Sequence, residues 1–345
     1  MKIDVQTDRG TYDVLIRRGS LSEVGKHLFL KRKVLVITDR SVPLQYANAV
    51  CAASEVPLRL TVEAGEESKS LSNYGKISSV LLEHGFTRAD CIVAVGGGTV
   101  MDLAGFVAAT FLRGIELYLV PTTLLGQVDA PLDGKNAVHL DRIKNVLGTY
   151  YLPGRILMDP DVLETLPARQ ISGGLAEAIK LALLFDAELF AWMETENLMD
   201  GRVIEKIIAR CVKIKKQVLF GADPNSEAQS ALNFGHTIGH GMECTPEFAE
   251  LSHGECVAFG MLPVCAPALR GRVRRVLASA GLPAPWKCDA DAIYKAMLRE
   301  QPEETKHIST VFCDAVGQYR IRKIPFTKIY EILKEAYSGE SACNK

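Results

Sequence analysis

The chain has 345 residues, 48% of them hydrophobic, and its 40 Lys and Arg against 41 Asp and Glu give a formal charge of −1. That length suits two domains of ordinary size with a core in each, and the balanced charge excludes a global attraction to nucleic acid or anionic lipid, so any anion site is local. Nine cysteines scattered from Cys51 to Cys343, with no CxxC pair and an odd total, suit a reducing cytoplasm rather than a disulfide framework.

The chain opens on MKIDVQTDRGTYDV, which alternates as a strand does and lacks the apolar core of a signal peptide. No run approaches the roughly eighteen apolar residues of a membrane span, so a soluble cytoplasmic protein is expected. Short runs rich in Val, Ile and Leu follow at Lys33–Asp39, Pro57–Glu63, Asp90–Gly98 and Glu116–Thr123, each bounded by polar or glycine breaks as buried parallel strands are. Between them LSNYGKISSVLLEHG and TVMDLAGFVAATFL have helical periodicity. Strand alternating with helix predicts a doubly wound α/β domain over 1–158.

After Asp159 the texture changes. Four long Ala- and Leu-rich runs, 173–196, 201–223, 230–244 and 253–281, each read as helix, so 159–345 is expected to be a mainly α-helical domain. STVFCDAVGQYRIRKIP adds a hairpin before a last amphipathic helix, and the basic run Arg270–Arg275 reads as a solvated helix face. No internal repeat, low-complexity tract or long linker is visible.

Three stretches could carry chemistry. VAVGGGTVMDLAG follows a strand and opens a helix, so Gly96, Gly97 and Gly98 let backbone approach a ligand while the helix N-terminus offers free N–H groups to a phosphate. It is not the GxGxxG dinucleotide fingerprint, and a purely structural tight turn is the competing reading. AGEESKS and PTT also fall just beyond predicted strands, where open α/β sheets bind ligands. GGLAEAIK sets Glu177 and Lys180 three apart on one helix face; alone this reads as a surface ion pair, but its Ala, Ile and Leu neighbours point to a lined cleft. LNFGHTIGHGMEC puts His236 and His240 on adjacent turns of one face, able to bind one metal or to divide metal binding and proton transfer between them. Two ordinary core or surface histidines are the alternative. Glu177, the His236 region and His253 of SHGECVAFG together supply a carboxylate and two imidazoles, a catalytic zinc-type set, although no spacing within one helix joins them.

GGG…DLAGFVAATFLRGI, PTTLLGQVD, KN, ETLPAR, GGLAEAIK, LNFGHTIGH and HGE occur here in the order and approximate spacing of the 3-dehydroquinate synthases, over about residues 33–320. The chain thus resembles a sugar phosphate cyclase, a family related in fold to glycerol dehydrogenases and iron-type alcohol dehydrogenases. The resemblance implies an N-terminal NAD-binding domain, a C-terminal helical metal-binding domain, a cleft between them and a homodimer, with no nucleic-acid or membrane partner. It makes Glu177, His236 and His253 the metal ligands, with zinc expected and cobalt as an alternative, and His240 a substrate-side histidine. Asp129, Lys135, Asn145, Lys180, Lys215 and Asn233 match catalytic and substrate-pocket positions, and Arg113 matches an arginine that reaches phosphate across the dimer interface. Asp39, Glu66, Lys69, Asp102, Lys144 and Thr165 match NAD positions, as do Gly97, Gly98 and Thr99 at the glycine turn and Thr122 and Thr123 after the next strand. In the mechanism so implied, the metal acidifies a substrate hydroxyl and NAD+ takes a hydride from that carbon. The adjacent carbon is acidified and phosphate leaves, NADH returns the hydride, and the opened ring closes as a carbocycle by an aldol step.

The substrate set departs from that pattern. The family's carboxylate-binding arginine falls on Gln229, an acidic pocket residue on Asn225, and the usual Ser-Ser-Val-Gly-Gly-Lys segment reads APLDGK, which adds Asp133. A lysine-rich segment near the C-terminus becomes Glu300-Gln301-Pro302. A desolvated arginine–carboxylate contact contributes ~1.5–3 kcal/mol, so the glutamine is expected to cost roughly tenfold to several-hundredfold in affinity for a carboxylate substrate. Beside a 3-dehydroquinate synthase-like enzyme stand a paralogous cyclase for another sugar phosphate, an NAD-dependent polyol dehydrogenase, which would accumulate NADH, and a non-catalytic paralogue.

Overall fold

A computed structural model describes residues 1–129, 132–141, 143–221, 227–282, 289–299 and 306–338. Its contacts fall into two units, Met1–Pro167 and Ala168–Lys345.

The first unit runs β1 (Lys2–Thr7), β2 (Gly10–Ile16), α1 (Val24–His27), β3 (Lys33–Asp39), α2 (Leu44–Ala53), β4 (Val56–Val62) and α3 (Leu71–Glu83). It continues through β5 (Cys91–Gly96), α4 (Gly98–Thr110), β6 (Glu116–Pro121), α5 (Leu124–Val128), β7 (Lys135–Leu140), β8 (Ile143–Tyr150) and β9 (Arg155–Met158). A seven-stranded sheet has the order β1-β2-β9-β6-β5-β3-β4, parallel throughout except for β1. Every residue of β5 is buried, as a central parallel strand covered on both faces requires. The chain leaves β3 for β4 on one side and β5 for β6 on the other. The order therefore reverses between β3 and β5, and their carboxyl ends form the crevice where doubly wound sheets bind ligands. All four apolar runs expected as strands are strands. The antiparallel hairpin β7–β8 and the strand β9 carry no sequence expectation. β8 is largely exposed and β9 has four residues, too few for a period to show.

The second unit comprises α6 (Ala168–Phe185), α7 (Ala187–Met193), α8 (Gly201–Phe220), α9 (Glu227–Ala231), α10 (His236–Glu243) and α11 (His253–Met261). After these come α12 (Pro267–Ser279), α13 (Ala290–Arg299), β10 (His307–Ala315), β11 (Gln318–Pro325) and α14 (Phe326–Ser338). The mainly helical second half, the β10–β11 hairpin and the last helix all stand as expected. Three of the four long helical runs are divided. Asp186 ends the first and caps α7, its carboxylate accepting from Leu189 N–H at 2.9 Å. Gly235, with φ of 79°, turns the chain between α9 and α10 in a conformation that side chains resist. The fourth run breaks before Pro267, where Cys265 forms a backbone β-bridge with Cys313 of β10, whose N–H and carbonyl bond Val264 and Ala266 at 3.0 and 2.9 Å.

α6 is the centre of this unit: every residue from Ile171 to Leu184 is buried. Glycine contacts let α11 approach both α6 and α10 backbone to backbone. A Cβ on Gly254 of α11 would collide with the Gly173 carbonyl of α6, and one on Gly260 with the Gly235 carbonyl at the start of α10. α10 and α11 are thereby held antiparallel, the last turn of α10 beside the first turn of α11.

Candidate functional site

In the second unit the close helix contacts bring three side chains together. Glu177 points from the middle of α6 and is wholly buried. His236 opens α10 directly after the Gly235 turn. His253 opens α11, where Ser252 and Glu255 form a reciprocal capping box and Arg169 of α6 grips Glu255 with two bonds of 2.9 and 2.8 Å. One ligand atom from each of Glu177, His236 and His253 lies within 4.8 Å of the others. The Nε2 atoms of His236 and His253 face Glu177 Oε1 at 3.5 and 3.6 Å. Ligands on a tetrahedral ion with bonds near 2 Å stand about 3.3 Å apart, so this spacing suits a metal better than direct hydrogen bonds.

The electrostatics agree. Lys180, one turn along α6, pairs with Glu177 Oε2, yet neither buried carboxylate oxygen accepts an aligned hydrogen bond. With Lys180 at Oε2, it is Oε1, facing the two imidazoles without a donor, that is costly to bury unless a cation completes it. Burial alone would raise the Glu177 pKa, but Lys180, His236 and His253 hold it well below the usual range. Burial, with Lys180 beside it, pushes His236 down to about 4, so its imidazole is neutral. His253 is opposed by burial, but Glu177 and Glu243 push it up to about 10 in the metal-free protein.

The remaining expected residues of this unit are placed as follows. His240 is exposed one turn beyond His236, its ring centroid 5.4 Å from that of His236 and 6.0 Å from that of His253. Lys215 lies buried on α8, and exposed Asn233 accepts the His236 N–H at 3.0 Å. Gln229 donates its side-chain amide to the Leu219 carbonyl at 3.2 Å, at the end of α8. Asn225 and Glu300–Pro302 lie outside the described residues. Glu243, which sequence reasoning missed, stands 2.6 Å from His253 Nδ1 through its Oε1. Its signal was available, since position i+3 from His240 shares that helix face.

In the first unit, Gly97 precedes α4 with no side-chain cap on the helix N-terminus, and the space where Gly98 would carry a Cβ is open. Asp39 ends β3 and accepts from the Ser41 N–H and hydroxyl at 2.7 and 2.6 Å. Buried Lys69 donates to Asp102 at 2.6 Å and Asn145 at 2.7 Å and pairs with Glu66 at 3.2 Å. Glu66 also accepts from Thr99 at 2.8 Å. Burial raises the Asp102 pKa against the opposing pull of Lys69. Thr122 is buried after β6, and Thr123 caps α5 by accepting from Gly126 N–H at 3.0 Å. Thr165 meets the Tyr46 hydroxyl at 2.9 Å. Asp129 ends α5, and Lys144 is exposed on β8. Lys135 pairs with Asp133 at 2.7 Å, so that the added acid is matched. Arg113 follows Leu112 in a left-handed turn, with φ of 65° and 50°. His139 was not anticipated: it accepts the Asn145 N–H at 3.0 Å and faces Glu66 at 3.2 Å, binding the β7–β8 hairpin to the Lys69 cluster. Nothing in the sequence marks it, because only the unforeseen hairpin brings it there.

The 3-dehydroquinate synthase N-terminal family matches residues 59–173, and the C-terminal family matches 174–302. The chain belongs to the 3-dehydroquinate synthase family. The 3-dehydroquinate synthase of Streptococcus mutans is 36% identical over 360 aligned residues, covering 97% of this chain and all of that one. A crystal structure of 2-deoxy-scyllo-inosose synthase complexed with carbaglucose-6-phosphate, NAD+ and Co2+ matches with a TM-score of 0.88 at 25% identity, over 97% of this chain and 100% of that one. The 2-epi-5-epi-valiolone synthase of Streptomyces hygroscopicus, with NAD+ and Zn2+ bound, shares the fold with a TM-score of 0.83 at 24% identity, over 97% and 99% of the two chains.

Proposed function

We propose that this member of the 3-dehydroquinate synthase family is an NAD- and divalent-metal-dependent sugar phosphate cyclase, a phosphate-eliminating lyase whose oxidation is undone within each turnover. The observation that carries the reading is the buried Glu177 carboxylate, without an aligned donor, facing two imidazole nitrogens at 3.5 and 3.6 Å. Glu177, His236 and His253 would hold the metal. The mixed carboxylate and imidazole set suits zinc, with cobalt able to replace it. Where the dinucleotide is concerned, the uncapped start of α4 at the β3/β5 switch point fits a pyrophosphate, and the open space at Gly98 leaves room for it.

When bound, the metal supplies Lewis acidity at a substrate hydroxyl and NAD+ supplies a reversible hydride acceptor. The protein's own groups do the rest. Lys180 keeps Glu177 ionised, and neutral His236 offers a lone pair. His240, exposed beside the triad, would exchange a proton with substrate; Lys215 is a cation for an anionic group in the second unit, and Lys135 and Arg113 are cations for an anionic group in the first. Gly97, Gly98, Thr99 and Asp102 hold the nucleotide, with Lys69, Glu66, Asp39, Thr122, Thr123, Lys144 and Thr165 shaping its surroundings. Asn145 and Asp129 add polar groups in the first unit, and Asn233 adds one in the second. We assign the protein to the cytoplasm as a homodimer. Leu140, Ile143, Val146 and Tyr150, between 37% and 62% exposed on one hairpin, support self-association.

The test is to incubate the protein with NAD+, Zn2+ and the seven-carbon keto-acid phosphate, following inorganic phosphate and carbocycle. Both are expected to form, to stop on chelation and to return with added Zn2+. Phosphate release that survives exhaustive metal removal would defeat the proposal.

A further inference from the structure

We infer that Glu243 is a positioning residue for the metal centre: its carboxylate holds the Nδ1 proton of His253 and so commits Nε2 to the ion. The inference rests on the metal centre proposed above and concerns a residue outside its ligand set.

The geometry makes the case. A neutral imidazole has one protonated nitrogen and one lone pair, and its surroundings choose which is which. Oε1 of Glu243 lies 2.6 Å from His253 Nδ1, the length of a charge-assisted hydrogen bond. An ionised carboxylate only accepts, so Nδ1 keeps its proton, and Nε2, 3.6 Å from Glu177 Oε1, is the nitrogen left to give up its own to an ion. His236 is anchored more weakly, its Nδ1 lying 3.3 Å from the neutral carbonyl of Phe234. The fold holds the contact in place. Glu243 ends α10, His253 begins α11, and the antiparallel glycine-packed pair sets these two helix ends side by side.

A second group of ligand atoms, from His240, Glu243 and His253, also lies within 4.8 Å. The two groups share His253, and the shared ring decides between them. Nδ1 cannot both donate to Glu243 and bind an ion, and the wholly buried, unsatisfied carboxylate belongs to the Glu177 group. Glu243 therefore orients the ring instead of joining a second centre. Carboxylate–histidine–metal arrangements of this kind change metal affinity by roughly 10- to 100-fold.

The experiment compares the unsubstituted protein with Glu243→Ala, Glu243→Gln and Glu177→Gln. Each is stripped of metal, then titrated with Zn2+ against a chromophoric chelator and with Co2+ by its d–d absorption. Unfolding of the metal-free proteins and NAD+ affinity serve as controls. One ion per chain is expected in the unsubstituted protein and none retained by Glu177→Gln. Glu243→Ala is expected to bind about 10- to 100-fold more weakly and to alter the Co2+ spectrum, with NAD+ affinity unchanged and the metal-free protein still folding cooperatively, though less stable for the loss of the bond to His253. Glu243→Gln, whose amide oxygen still accepts from Nδ1–H, is expected to recover part of the loss, and it carries the test should the alanine variant not fold. Undiminished affinity in both Glu243 variants, or two ions per chain, would overturn the inference. An unsubstituted protein that binds no ion would instead overturn the metal centre itself, and that result is read before any variant is compared.

Discussion

Glu177 and Lys180 are both buried on α6, and each is the other's nearest countercharge. Removing one leaves the other charge without water or partner, which typically costs about 3–5 kcal/mol. Glu177→Ala is therefore expected to lower the unfolding free energy of the metal-free protein by about that much in a denaturant titration, as well as to abolish metal retention; a loss under about 1 kcal/mol would show that water reaches Lys180. Gln229 concerns specificity. Its amide is already engaged with the Leu219 carbonyl, and an amide offers no charge to a carboxylate. Gln229→Arg is expected to raise kcat/KM for the seven-carbon keto-acid phosphate by about 10- to 100-fold, or ~1.4–2.8 kcal/mol. A variant no faster than the parent would mean that the substrate carboxylate is held elsewhere and that the glutamine is no handicap.

Among the elements, α6, α10 and α11 bear the three proposed ligands, and glycines set their separation. Gly254→Ala is expected to push α11 off α6, since the new methyl meets the Gly173 backbone and not a side chain able to move. The expected cost is about 1–3 kcal/mol in stability, with weaker Zn2+ binding because His253 is the preceding residue; unaltered affinity would mean that the contact does not position the ligand. Gly271→Ala in α12 is the contrast, with only the tip of Arg275 within reach, and is expected to stabilise by about 0.4–1 kcal/mol in the same titration. Sequence reading succeeds where burial imposes a period. The Lys33–Asp39 and Cys91–Gly96 strands are plain as continuous apolar runs covered on both faces, and the second half reads as helix because its apolar residues recur on buried faces. It fails where a tertiary contact decides. The break before Pro267 depends on Cys313 of a distant strand, and the β7–β8 hairpin shows little apolar alternation because β8 is mostly exposed. The same division runs through the site. Glu177, His236 and His253 stand on three helices, so no spacing joins them and only family resemblance groups them, whereas Glu243 could have been found from its helix face.

Across the whole molecule, the groups proposed for the nucleotide belong to the first unit and those proposed for the metal to the second. Substitutions are thus expected to separate the two functions: Asp102→Ala should weaken NAD+ binding in a fluorescence titration while metal content stays at one per chain, and joint loss of both would contradict that assignment. Oxidation and reduction are expected to cancel within one turnover, which distinguishes a cyclase from a dehydrogenase of related fold. The direct measurement follows NADH absorbance and inorganic phosphate together, with metal-loaded protein, excess NAD+ and the seven-carbon keto-acid phosphate. Phosphate rising to match the substrate consumed, with NADH absorbance flat after the first turnover, is the expected result; NADH accumulating in proportion to substrate, without phosphate release, would contradict it.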